Sequence, residues 1–250
     1  MTSKICFKNS LLFLVVVFIT SCKILYPSQE TSFFIKVNNT YKADSSIVFF
    51  CKPYKDSLDK IMKVPVAELS EDLTKQLPES SLGNMMADIL KIKAEEYTGN
   101  KIDVAILNYG GIRMSSLTKG KLIIEQAYLL MPFDNYIVEQ VLTGQQLSDF
   151  CDSIAVKKGW PVAGISFQIK DNKAINIQVN NEPISINRKY NIALSDYLAN
   201  GGDGLAFLKP ISQIQTGKLY RNAIIEYWQQ QSGIGKTITS KIENRITYAK

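Results

Sequence analysis

Three short stretches concentrate the residues that could do chemistry: NYGGIR at 108–113, MPFDN at 131–135 and YLANGGDG at 197–204. In the first, Arg113 follows two glycines that expose backbone amides. A guanidinium beside such amides suits a carboxylate or a phosphate, because its fork donates two parallel hydrogen bonds. In the second, Phe133 follows a proline that stiffens the turn. In the third, Tyr197 and Asp203 flank closely spaced glycines, which let backbone approach a ligand or take positive φ. Taken singly, each stretch is accounted for by a turn, a core aromatic or a solvated arginine, and for any one loop alone that plainer reading prevails.

What the chain lacks narrows the chemistry further. Its 250 residues include no histidine, which removes a Ser-His-Asp triad, an HExxH zinc site and any imidazole base. GIGKT at 233–237 echoes a phosphate-binding loop, but the full pattern needs glycine where Gln230 stands, and the segment follows a helix instead of preceding one. A helix-ending glycine turn suffices. The net charge is +6, with the cations scattered and no cluster of the kind that tracks nucleic acid.

Elements must carry these loops to one place. Lys4 and Lys8 precede an apolar run at 11–19 and then ITSC at 19–22, a basic, apolar and small-residue succession typical of export signals. The run is too short for a comfortable membrane span. Its ending resembles a bacterial lipobox with Cys22 as the lipid-modified residue; a plain secretory signal or a short membrane anchor is the competing reading. Export would leave Cys51 and Cys151, either paired in an oxidising compartment or both simply buried. Residues 1–22 are thus expected as a leader, 23–44 as a tether, and 45–250 as one domain, exported and lipid-anchored to the cell envelope in the periplasm or outer membrane.

Within that domain, IVFF at 47–50 is a continuous apolar run and predicts a buried strand. Met86, Ile89, Leu90 and Tyr97 fall at helical spacing in a segment ending on Gly99 and Asn100, as helices often do. KIDVAILNYGG predicts a buried strand running into a glycine turn. Residues 125–131 and 144–155 read as helices separated by a strand at YIVEQVL. ISFQIK, AINIQV, PISI and YNIALS alternate as a meander of short strands, and YRNAIIEYWQQQ reads as a last amphipathic helix. The mixture predicts an α+β fold, a single domain whose mixed sheet carries an antiparallel meander and flanking helices.

Taken together, ESSLGNMMADIL, ILNYGGIR, MPFDNYIVEQVLTGQQL, PVAGISFQI and YNIALSDYLANGGDG resemble, in order and spacing, the C-terminal domain of the 5′-nucleotidase / UDP-sugar hydrolase family. The resemblance implies a substrate-specificity domain in which two aromatics sandwich a nucleobase, at the positions of Phe133 and Tyr197, with tyrosine where phenylalanine is usual. It puts Asp203 at the acceptor of ribose hydroxyls, Asn135 at the base edge, Asn108 and Arg113 at the ribose and phosphate side, and Gly164 in the pocket lining. Catalysis in that family belongs to a separate domain binding two metal ions. No such metal pair is expected on this chain, which alone should not hydrolyse phosphate esters; a divalent metal pair is expected on a partner domain. The family's usual arginines fall at Asp72 and Gln76, leaving Lys75 as the nearest cation. Three readings follow: a split phosphohydrolase whose metallophosphoesterase is another chain, a tethered nucleoside or nucleotide receptor without catalysis, and a structural domain that fills its own pocket.

Overall fold

The computed structural model describes residues 34, 38 and 41–249. The leader, Cys22 and most of the tether lie outside the described residues. The chain divides into two units, Met1–Phe50 and Cys51–Lys250.

Helix α1, Ser45–Met62, begins in the first unit. Asp44 caps it, its carboxylate accepting from the Ser46 amide at 2.8 Å and the Ile47 amide at 3.4 Å. The IVFF run, expected as a buried strand, is therefore helical, and no residue of α1 is buried. Four apolar residues cannot separate strand from helix by periodicity. The decision comes from the sequence after them, where Lys52 pairs with Asp56 at 2.6 Å and Lys55 with Asp59 at 2.5 Å. Both pairs sit one helical turn apart, the spacing at which opposite charges support a helix.

The second unit is a mixed α+β domain. Strands β1 (Pro65–Leu69) and β2 (Leu73–Thr74) precede α2 (Ser81–Thr98). Then come β3 (Val104–Ile106), β4 (Ser116–Leu117), β5 (Gly120–Ile123), α3 (Ile124–Leu130), β6 (Tyr136–Thr143) and α4 (Gly144–Val156). The chain continues through β7 (Val162–Ala163), β8 (Ile165–Lys170), β9 (Lys173–Val179), β10 (Glu182–Pro183), β11 (Lys189–Ser195) and α5 (Asp196–Ala199). It ends with β12 (Gln213–Leu219), α6 (Tyr220–Gly233) and β13 (Ile246–Tyr248).

A five-stranded sheet in the order β12-β6-β11-β3-β7 forms the centre, with β11 and β3 parallel and the other pairs antiparallel. Its strands β3 and β11 are buried on both faces, which is why KIDVAILN reads as a buried run; YNIALS, expected as an alternating strand, is buried on both faces as well. On one face Ala193, Ala105 and Ala163 sit side by side across three adjacent strands. That flat row lets α2 pack close, in the same apolar cluster as Trp228 of α6. On the other face Val104, Ile106, Ile192 and Leu194 meet Phe150 of α4 and the second sheet.

That second sheet runs β10-β9-β8-β13. The expected meander is thus shared between two sheets: β8, β9 and β10 pair antiparallel, whereas YNIALS crosses to the centre as β11. PISI contributes only Pro183 to a two-residue edge strand, since proline cannot donate to a ladder. Cys51 is exposed, Cys151 is buried and both thiols are free. Neither a bridge nor burial of Cys51, the alternatives open at the level of sequence, is found.

Candidate functional site

Sheet register explains why the three stretches converge. β3 and β11 run parallel, with Val104 opposite Ile192, so the chain leaves both at the same edge of the sheet. β6 runs antiparallel to β11 with Ile137 opposite Ser195, so the residues entering β6 arrive at that edge too. NYGGIR follows β3, YLANGGDG follows β11 and MPFDN precedes β6. The crevice lies beyond the carboxyl ends of the sheet's one parallel pair, the position ligands take in open parallel sheets.

There Asn108, Gly110, Gly111, Arg113, Phe133, Asn135, Tyr197 and Asp203 line one cavity of about 300 Å³. Six of the seven expected ligand contacts therefore share it. Phe133 is 37% exposed and Tyr197 45%, so both rings stand in the crevice and neither is spent on the apolar core. The seventh, Gly164, lies elsewhere, in a depression with Asn180, Asn181 and Glu243. Its φ is +74°, and a Cβ there would lie 2.1 Å from the Asp103 carbonyl oxygen. Close backbone packing accounts for this glycine, and it is removed from the pocket lining.

Each wall is braced from behind. Asp203 sits at φ +54°, in a left-handed conformation aspartate tolerates better than most residues. Asn108 Nδ2 donates to its Oδ2 at 2.9 Å, the Tyr197 hydroxyl donates to its Oδ1 at 3.2 Å, and the Asp203 amide donates to that hydroxyl at 3.2 Å. The Tyr197 ring lies against Gly202, where a Cβ would come within 2.5 Å of Cε1, so glycine is required for the ring to lie flat there. Asp196 accepts from the amides of Tyr136 at 3.1 Å and Tyr197 at 2.8 Å, tying the start of β6 to α5.

Arg113 stacks over Phe133 at 5.2 Å from the ring centroid and donates to the Gly110 carbonyl at 3.3 Å. Lys75 donates to the Ile112 carbonyl at 2.6 Å and covers the Tyr109 ring at 4.0 Å. Burial first, and the neighbouring Arg113 charge second, hold the Lys75 ammonium below its ordinary range. Lys75, the nearest cation by the family resemblance, thus lies beside Arg113 but outside the cavity lining. Tyr109, packed beneath Lys75 and against the core, stays out of the cavity lining.

Arg221 went unmarked in the sequence. This buried residue on α6 donates to the Phe133 carbonyl at 3.3 Å and to Asp134 Oδ1 at 2.8 Å, and lies 4.3 Å over the Tyr128 ring. It clamps the loop that presents Phe133. Its signal in sequence is one of two charges, with Glu226, on an amphipathic helix, and such charges are ordinarily solvated.

Among the described residues no group of three or more His, Cys, Asp or Glu side chains could hold a metal ion. The donor set of the described residues therefore does not fit a metal pair.

The fold and crevice define an α+β domain with two exposed rings, an arginine and a carboxylate around one cavity. A family model of the 5′-nucleotidase C-terminal domain matches residues 61–210, and the chain belongs to that family. It is 26% identical over 181 residues to a 5′-nucleotidase of Vibrio parahaemolyticus, covering 67% of this chain and 30% of that protein. It is 25% identical over 186 residues to the cell wall protein Lmo0130 of Listeria monocytogenes, covering 68% and 24%. The chain thus spans about a third or less of these relatives' lengths. The fold matches the 5′-nucleotidase precursor of Thermus thermophilus with a TM-score of 0.69 and 22% identity, covering 82% of this chain and 43% of that one.

Proposed function

We propose that this chain is the nucleoside- or nucleotide-binding specificity domain of a 5′-nucleotidase-type phosphohydrolase whose metal-bearing catalytic domain is a separate chain. One observation carries the binding part: two exposed rings, an amide pair, a carboxylate and an arginine from three distant loops face a single cavity. The rings would hold the base, Asp203 the ribose, and Arg113, with Lys75 behind it, a phosphate. The catalytic part is supported by family membership and by a sequence without histidine, so that the dimetal chemistry would be supplied from outside these 250 residues. The lipid on Cys22 would place the pair at the cell envelope, in keeping with a relative that is a cell wall protein.

The test mixes purified chain with a manganese-loaded exported metallophosphoesterase from the same source and measures AMP hydrolysis. Hydrolysis should rise well above that of the metal domain alone and vanish in Arg113→Ala. No gain on mixing would sink the split enzyme. The second reading, a tethered receptor without chemistry, is favoured by the completeness of the cavity within one chain. It keeps a saturable thermal shift with adenosine and gains no hydrolysis from any partner.

A further inference from the structure

Deepening that reading and resting on it, we infer that the Tyr197 hydroxyl is a positioning group: it sets Asp203 to accept two neighbouring hydroxyls at once, and so makes the crevice select a vicinal diol.

Three contacts fix the arrangement. The Asp203 amide donates into the Tyr197 oxygen at 3.2 Å. With that side of the oxygen filled, the hydroxyl proton turns to Asp203 Oδ1, also at 3.2 Å. Asn108 Nδ2 fills one side of Oδ2 at 2.9 Å. An ionised carboxylate offers about four acceptor sites, two on each oxygen. One brace on each oxygen therefore leaves one acceptor site open on each oxygen of a carboxylate that lines the cavity together with Tyr197. Two adjacent acceptors match two adjacent hydroxyls. The same braces oppose rotation of the carboxylate, which the left-handed backbone at Asp203 alone would not do.

The arrangement also makes one tyrosine serve two purposes. Its ring, held flat by Gly202, offers a stacking face, and its hydroxyl reaches the sugar only through Asp203. Removing the hydroxyl should leave stacking intact and loosen only the diol contact.

The experiment is a binding cycle on the full chain. Adenosine and 2′,3′-dideoxyadenosine are titrated by calorimetry into the wild-type protein and into Tyr197→Phe. Losing the hydroxyl that braces the carboxylate without itself touching the ligand should weaken adenosine about threefold to tenfold. Dideoxyadenosine, which has no diol, should bind both proteins within about a factor of two, the scatter expected when no shared contact is removed. Tyr197→Phe lowering both ligands alike, or neither, overturns the brace while leaving nucleoside binding in place. Wild-type protein that binds neither ligand removes the nucleoside reading itself, and the brace with it. Asp203→Asn supplies the internal check: in that background the Tyr197→Phe change should no longer separate the two ligands.

Discussion

A phenylalanine left 37% exposed forgoes part of the hydrophobic gain that burial would bring. Phe133 is held in that state by Arg113 over its face and by Arg221 on its carbonyl, an arrangement in keeping with a ring that awaits a ligand. Stacking of a base on an aromatic is worth about 1–3 kcal/mol by alanine substitution. Phe133→Ala should accordingly weaken adenosine by roughly fivefold to 150-fold. The melting temperature should fall only modestly, because the ring belongs to neither apolar core cluster; isothermal titration beside a melting curve separates the two effects. A fall in stability with unchanged affinity would instead assign the ring to the core. Residue types made this much legible in advance: an aromatic, an arginine and an aspartate in glycine-rich turns are more than a turn needs. Lys75 was marked only through the family resemblance, and Arg221 escaped, because the contacts of both lie far off in the chain. They act on Ile112 and on Asp134, 37 and 87 positions away in the chain, and no local pattern encodes such an approach. Gly164 was misplaced for the opposite reason. A glycine required by a neighbouring carbonyl looks the same in sequence as one required by a ligand.

Strands β3, β6 and β11 of the central sheet were readable because most of their residues are buried, whereas β12, with no buried residue, was not anticipated. β3 and the second half of β11 carry buried residues in unbroken succession, and the interruptions after them are the glycine loops of the site. What the sequence did not show is which sheet each strand joins. β11 sits among alternating strands in the sequence, yet its Ile192 pairs with Val104 of β3, far upstream. Nor did it show that α6 is part of the site's frame. Arg221 projects from its first turn to the loop ahead of β6, and the Tyr220 amide anchors the same turn by donating to the Asn135 carbonyl at 2.9 Å. Replacing Arg221 by methionine keeps an apolar stem and removes both hydrogen bonds to the Phe133–Asp134 segment. Each such bond contributes about 0.5–1.5 kcal/mol, more where a charge takes part. The loop should loosen and adenosine affinity should fall about threefold to thirtyfold. The decisive readout is non-additivity: Arg221→Met combined with Phe133→Ala should cost no more than Phe133→Ala alone, because the clamp acts only through that ring. Additive losses would show that Arg221 acts on the ligand by another route.

At the scale of the whole molecule, the family match stops at residue 210, but the physical domain does not. β12 adds a strand to β6, α6 buries Trp228 completely, and β13 pairs with β8 while burying Ile246. Arg245 then fastens this last segment to α2 and β7, with both Asp88 oxygens at 2.8 Å and the Val162 carbonyl at 2.7 Å. A chain ending at Pro210 would leave β6 with an unpaired edge and open the cluster that Trp228, Ala223 and Ile224 complete. Deleting one large buried side chain such as tryptophan costs about 3–5 kcal/mol, and a domain's whole stability is about 5–15 kcal/mol. Removing that side chain together with its neighbours and two strands exceeds what such a domain can lose. The truncated chain should therefore show no cooperative melting transition by circular dichroism, whereas full-length Arg245→Met should still melt cooperatively at a lower temperature. A cooperative transition in the truncated chain would mean that the segment after residue 210 is an attachment to the core and not a part of it, and that the clamp on Phe133 is likewise dispensable to the fold.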